Sequence, residues 1–289
     1  MHPILFYLGE LPVYTYGFVM MVVLILLYWL AARNPEKGEL DAHDLSYLSL
    51  LVVVAIWFGD SFWRGIGGLL AFVPGLETVL RQAPLLPQVE VSPRLGGLQQ
   101  TSTLAVGAFL GVWLPLYCRW RRLRLLPVLD FFLPYALLGY GLQRLFGCFA
   151  AGCCHGTPTD LPWAVRFPET FGIGPEAGVA VHPSQLYMGF LALLAFSILA
   201  ICERCQARVG MRSGGALTGL FGPYFLVSFV RGDLNRVPVV LLGLSPLQLA
   251  SLGLFLTGVL LMIAAAGGLN YSTSAPAPGP GHPTPGKRS

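Results

Sequence analysis

Stretches of about twenty apolar residues, nearly empty of charge, recur along the whole chain, and each is long enough to cross a bilayer as a helix. They occupy residues 13–32, 46–73, 102–118, 127–150, 185–202, 214–230 and 246–268. Only 11% of the residues are charged, against roughly a quarter in a soluble domain. That balance excludes a soluble enzyme, a disordered protein and a nucleic-acid binder. The expected fold class is an all-α membrane protein with seven transmembrane helices. The six cysteines are no disulfide scaffold, because such scaffolds are short secreted chains with little apolar core.

The first stretch follows Glu10 and no basic residue, so it reads as a span, not as a cleavable signal peptide, which starts positive. With the N-terminus outside, the inner loops and tail collect Arg33, Lys37, Arg119, Arg121, Arg122, Arg124, Arg204, Arg208, Arg212, Lys287 and Arg288. The outer loops hold only Arg81, Arg94, Arg166, Arg231 and Arg236. Cytoplasmic loops gather Lys and Arg, so the expected orientation is N-terminus outside and C-terminus cytoplasmic. One seven-span domain is expected over residues 1–270, with a disordered Pro- and Gly-rich cytoplasmic tail over 271–289. The loops 74–100 and 156–183 are long, rich in Pro and Gly, and carry aromatics such as Trp163 and Phe167, as segments at a bilayer surface do. Long loops on one face suggest that the chemistry opens to that face.

The fourth span is interrupted by Asp130, Gln143 and Arg144 and ends in Gly147-Cys148-Phe149-Ala150-Ala151-Gly152-Cys153-Cys154-His155-Gly156. A guanidinium in the bilayer costs at least about 2.5–3.5 kcal/mol, so Arg144 needs an anion, a watery cavity or a route to the surface. A lipid phosphate would serve, and so would Asp60 or Asp130. Asp60 and Arg64 lie four apart, on one helix face, and read as a structural pair. Cys153-Cys154-His155 and Cys202-x-x-Cys205 each look like part of a zinc site. The topology puts them on opposite faces and each group alone has too few ligands, so no metal and no cofactor are expected. A Cys148–Cys153 bond is conceivable, whereas the adjacent pair is poorly placed to bond. His182-Pro183-Ser184-Gln185-Leu186-Tyr187 opens the fifth span, with Pro183 and Ser184 where helices start and His182 a general-base candidate. Arg231-Gly232-Asp233, after the sixth span, reads either as a phosphate holder or as an interfacial anchor.

These landmarks together resemble the prolipoprotein diacylglyceryl transferase family. The resemblance rests on Tyr16-Gly17, Gly96-Gly97, Arg144 with Gly147 to Gly152, the run His182 to Tyr187, and Gly214-Gly215 leading to Arg231-Gly232-Asp233, in the family's order over residues of roughly 10–265. It implies a multi-pass enzyme of the bacterial inner membrane. Its reaction would move a diacylglyceryl group from phosphatidylglycerol to the lipobox cysteine thiol in the signal peptide of a prolipoprotein. The resemblance gives Arg144, His182 and Tyr16 catalytic roles, and Arg144, Arg231, Gln185, Tyr187, Gly147 and Cys148 contacts to substrate. Arg144 and Arg231 would hold phosphate, Tyr16 and Gln185 would hydrogen-bond the headgroup, and His182 would be the base. The chain differs from the family pattern at Gln100 to Thr103, Tyr224, Ser228, Met188 and Cys148. Two further readings stay open: a non-catalytic lipid-binding protein on the same scaffold, and a thiol oxidoreductase using Cys148, Cys153 and Cys154.

Overall fold

The computed structural model describes residues 4–35, 40–71, 103–168, 178–202, 208–232 and 241–267, with side chains omitted for 57–71, 103–105, 108 and 246. The described chain is mostly helical. A short hairpin, β1 (Ile4–Leu8) and β2 (Leu11–Tyr14), turns at Gly9, whose φ of 63° lies in the left-handed region. The helices are α1 (Thr15–Arg33), α2 (Ala42–Ala71), α3 (Thr103–Arg121), α4 (Leu125–Leu142), α5 (Ser184–Ile201), α6 (Met211–Ser228) and α7 (Pro246–Ala266). A two-residue ladder, β3 (Val165–Arg166) with β4 (Ala180–Val181), closes the loop before α5.

Among the described residues, four segments are long and apolar enough to cross a membrane: Thr15–Arg33, Leu125–Ala151, Ser184–Ile201 and Leu247–Ala266. They leave rows of large apolar side chains uncovered, among them Met21, Ile25 and Trp29 on α1, Phe190, Leu194 and Ile198 on α5, and Leu256, Leu260 and Ile263 on α7. A solvated protein rarely shows so much contiguous apolar surface, and a lipid-facing helix requires it. The first helix begins at Thr15, not Val13, because Leu11–Tyr14 pairs with Ile4–Leu8 as a strand. Two short ladders thus qualify the all-α expectation. The tail over 271–289, the loop over 74–100 and the side chains of Asp60 and Arg64 lie outside what is described.

Inside, helices approach through glycine, as they do where lipid removes most of the hydrophobic drive and close packing must substitute. A Cβ on Gly141 of α4 would sit 3.2 Å from the Gly189 carbonyl oxygen of α5, and the reverse holds too. Gly214 of α6 and Gly258 of α7 face each other in the same way. Helix α7 opens with a capping box, Ser245 accepting from the Gln248 amide while the Gln248 side chain accepts from the Ser245 amide, and with Pro at its first position.

Two polar anchors lie away from the fourth span's far end. Asp130 accepts from the Ser213 amide (2.7 Å), the Ser213 hydroxyl (2.6 Å) and the Gly210 amide, so it caps the start of α6. Asp44, buried at the start of α2, accepts from Arg121 Nε (2.7 Å) and the Tyr117 hydroxyl (2.8 Å), while Asp41 takes a second Arg121 nitrogen at 3.0 Å. Burial opposes ionisation of Asp44, but the Arg121 and Tyr117 hydrogen bonds outweigh it and hold the carboxyl below its ordinary range.

Candidate active site

The fourth helix does not end where its α-pattern ends. Residues Gln143–Cys148 form a π-helical turn, continued by one turn over Phe149–Ala151 and a left-handed Gly152 (φ 70°). A π-turn inserts a residue into the helix and re-aims the side chains beyond it, and such turns concentrate at functional sites. Here it places Gln143, Arg144, Gly147 and Cys148 all inside the protein. At Gly147 a Cβ would push aside the Gln143 amide, which donates to the Tyr16 carbonyl.

Arg144 is 9% exposed, and it points into the protein, not toward lipid. Its guanidinium lies 4.8 Å from the Tyr140 ring centroid, and Nη1 stands 3.7 Å from Cys148 Sγ. Neither Asp130 nor any other carboxylate among the described residues pairs with it, since Asp130 is spent on α6 about fourteen residues, or about 21 Å of helix, away. Arg231 is also buried, donating from Nη1 to the Tyr224 hydroxyl at 2.8 Å with its guanidinium 5.3 Å from that ring centroid. The backbone fixes Arg231 beside the cysteine segment: Gly156 bridges Arg231, Thr157 N donates to Val230 O, and Gly232 N donates to His155 O.

The electrostatic neighbours of Tyr16 are Cys148, Cys153, Cys154 and Arg144, and those of Tyr140 include Arg144, Tyr224, Arg231 and Cys148. Tyr16, Arg144, Cys148 and Arg231 therefore belong to one cluster. Gln143 ties α1 to it by donating to the Tyr16 carbonyl at 3.3 Å. Gln185 and Ser184 at the head of α5 hold the cysteine backbone, donating to Cys153 O (2.8 Å) and Cys154 O (2.6 Å). Pro183, not Ser184, occupies the cap position, and the Ser184 hydroxyl serves Cys154 instead of the helix. Tyr140 Oη, Gln143 Oε1 and Gln185 Oε1 are buried without a hydrogen-bond partner among the described residues. Such groups cost stability unless something polar meets them, so they mark a site built for a polar ligand.

His182 and Tyr187 form a neighbouring group. His182 Nδ1 is 3.4 Å from the Tyr187 hydroxyl, which accepts from Trp163 Nε1 at 2.7 Å. The main chain of His182 pairs with Gly156 and Thr157, placing it one strand from the cysteine segment. Trp163 is exposed as expected of a surface loop, whereas Phe167 is buried against Phe149 and His155.

Cys148, Cys153 and Cys154 are free thiols whose sulfur atoms all lie within 4.8 Å of one another. Counting Cys153, Cys154 and His155 by sequence left out Cys148, which supplies the third sulfur. Cys154, past the end of the span, has its thiol held well below the ordinary range: hydrogen bonding with Cys148 and then Cys153 favours the thiolate, burial opposes it, and Arg144 and Arg231 add positive field. Cys205 lies outside the described residues, and the Cys202-x-x-Cys205 reading lies outside them with it.

The model of the family described as prolipoprotein diacylglyceryl transferase matches residues 3–264, nearly the whole chain. The chain belongs to that family. Relatives named phosphatidylglycerol–prolipoprotein diacylglyceryl transferase include one from Bordetella avium (strain 197N), 30% identical over 277 residues, covering 91% of this chain and 94% of the relative. Another, from Nitrosospira multiformis, is 32% identical over 288 residues, covering 95% of this chain and 88% of the relative. A third, from Clostridium tetani, is 28% identical over 240 residues, covering 81% and 86%. Within this family the sequence missed Tyr140 and Tyr224 as the rings that carry the two arginines. Spacing held the signal, because Tyr140 is four residues before Arg144 and Tyr224 seven before Arg231, each near a whole number of turns.

Proposed function

We propose that this chain transfers a diacylglyceryl group from phosphatidylglycerol to the lipobox cysteine thiol of a prolipoprotein, in a bacterial inner membrane. All seven long helices span, with the N-terminus outside and the C-terminus cytoplasmic, so that the Arg144 cluster opens toward the outer leaflet. The observation that carries the reading is buried Arg144, paired with no carboxylate among the described residues and resting on a ring and a thiol. A guanidinium in that setting is stabilised by an arriving phosphate, through charge-assisted hydrogen bonds made in a low dielectric.

The chemistry builds on that contact. The acceptor thiol loses its proton to His182, and the sulfur attacks the glyceryl methylene that carries the phosphoester. A C–S bond forms as the C–O bond breaks, and the electron pair stays on the departing glycerol phosphate. Arg144 and Arg231 stabilise the charge that grows on that phosphate, which is where fixed positive groups accelerate a reaction most. Tyr16 and the unused Gln185 Oε1 hold the glycerol hydroxyls, with Gly147 and Cys148 forming the wall beneath them and Tyr187 orienting His182.

The test is a lipobox peptide mixed with the purified protein in phosphatidylglycerol micelles. The peptide should gain the mass of a diacylglyceryl group, and Arg144→Ala should lose the gain. Phosphatidylglycerol retained without turnover, while a known active transferase lipidates the same peptide, would make this a lipid-binding member of the family.

A further inference from the structure

We propose that Cys148, Cys153 and Cys154 hold one zinc ion in a three-sulfur site whose fourth position takes the acceptor cysteine thiol. The inference rests on the transferase reading for the identity of that fourth ligand, and on the three sulfurs for everything else.

Tetrahedral zinc with Zn–S bonds of about 2.3 Å needs its sulfurs about 3.8 Å apart. The three sulfurs already lie within 4.8 Å of one another, so closing on the ion takes about 1 Å or less. The backbone is set for this convergence. Gly152 at φ 70° and Cys154 at φ 58° turn the chain sharply back, and a left-handed conformation is uncommon for a residue with a Cβ. Ser184 and Gln185 then clamp the carbonyls of Cys154 and Cys153. Both thiol positions are thereby fixed from behind, as metal ligands are when their surroundings orient them.

Charge and ligand number say what kind of site this is. Zinc with three thiolates carries one negative charge, and Arg144, with Nη1 3.7 Å from Cys148 Sγ, cancels it. Three protein ligands leave the fourth position open, which is the pattern of catalytic zinc, whereas structural zinc closes with a fourth protein ligand. A thiol entering that position is deprotonated by the metal, and the transferase reaction needs a thiolate at neutral pH. The step balances: the thiol proton goes to His182, the sulfur lone pair makes the C–S bond, and the C–O electrons leave on the phosphate beside Arg144 and Arg231. Zinc changes no oxidation state. A disulfide use of the same cysteines would need an oxidant.

Full-length protein in phosphatidylcholine nanodiscs, equilibrated with zinc and freed of excess, should retain about one zinc per chain by mass spectrometry. The Cys148→Ser, Cys153→Ser, Cys154→Ser triple variant should retain none. Wild type stripped with dipicolinate tests the same point without a mutation that disturbs folding. X-ray absorption at the zinc edge should show sulfur at about 2.3 Å, and adding the lipobox peptide should raise the sulfur count by one, which a peptide with Ser for the lipobox Cys should not do. With phosphatidylglycerol supplied, stripping should cut transfer at least tenfold and zinc should restore it. Wild type that binds no zinc, or a triple variant that keeps it, would overturn the site. An unchanged sulfur count on adding peptide would overturn the thiol role. Full-rate transfer by stripped protein would overturn the inference and leave the transferase standing. Zinc and peptide sulfur bound without any transfer would uphold the site and remove the proposed function.

Discussion

Two arginines in this molecule are held in opposite ways. Arg121 meets Asp44 at 2.7 Å and Asp41 at 3.0 Å, with the Tyr117 hydroxyl also donating to the Asp44 carboxylate, so the guanidinium there is met by two carboxylates. Arg144 is buried against the Tyr140 ring and Cys148 Sγ, and in the same cluster the Tyr140 hydroxyl and the Gln143 and Gln185 side-chain oxygens have no hydrogen-bond partner among the described residues. The first arrangement has nothing left to bind. The second keeps hydrogen-bonding capacity in reserve inside the protein, where reserve is costly and is kept only where a ligand uses it. The difference gives a rule for separating structural from functional charge in a membrane chain: ask whether the polar group is already answered.

The sharpest way to break this comparison is Arg144→Ala. If the unanswered arginine serves the phosphate, transfer should fall by about 10²–10³-fold, as when one fixed donor to a developing charge is removed. In zinc-free protein the thermal midpoint should hold or rise, since the change removes a buried charge that no carboxylate among the described residues balances. A fall in Tm with intact transfer would move Arg144 to the structural side. Gln185→Leu should cut transfer by about tenfold and also lower Tm, because the residue both offers the unused Oε1 and supports the Cys153 carbonyl. Transfer assays and thermal scans on the two variants together separate the binding role from the supporting one.

The paired end should respond the other way. Asp44→Asn should lower Tm by about 5 °C while the transfer rate at low temperature stays that of wild type. Its pH dependence has a definite sign. Asp44 is held below its ordinary carboxylate pKa in the folded protein, so its stabilisation is present above about pH 4 and is lost as pH falls through the folded value. Wild-type Tm should therefore drop below about pH 4 more steeply than that of Asp44→Asn, because the amide has no proton to gain. Equal slopes in the two proteins would mean that the Arg121 contact contributes nothing to folding.

The helical layout was legible in the sequence because apolar length is a strong signal, and each of the seven long helices among the described residues falls within a few residues of its expected stretch once α4 is followed through its π-turn to Ala151. Arg144 and Arg231 were legible because a charge in apolar sequence is conspicuous. Cys148, Cys153 and Cys154 were grouped by sequence as thiols, but the convergence of their three sulfurs was not legible. On a regular helix, five residues from Cys148 to Cys153 turn the side chain by about 140° to another face. Only the chain reversal after Ala151, through left-handed Gly152 and Cys154, brings the sulfurs together, and backbone breaks of that kind have no periodicity to read. The partner of Asp130 was equally hidden, because a carboxylate that caps a helix some eighty residues later leaves no local mark.

Asp130 gives the smallest and most discriminating test. Like Asp44 it is a fully answered carboxylate, but the donors that meet it include two backbone amides and one hydroxyl at the start of α6. Ser213→Ala removes the hydroxyl and leaves both amides in place. The loss should be about 1 kcal/mol, or about 2–4 °C in Tm, with transfer unchanged because Ser213 lies far along α6 from Tyr224 and Arg231. If capping by Asp130 is what sets α6, the amides alone keep the helix start protected in hydrogen exchange and the effect stays this small. A collapse of transfer in this variant would mean that the answered end of α6 governs where Tyr224 carries Arg231. The two ends of the molecule would then be coupled through that helix and not separable by whether their charges are met.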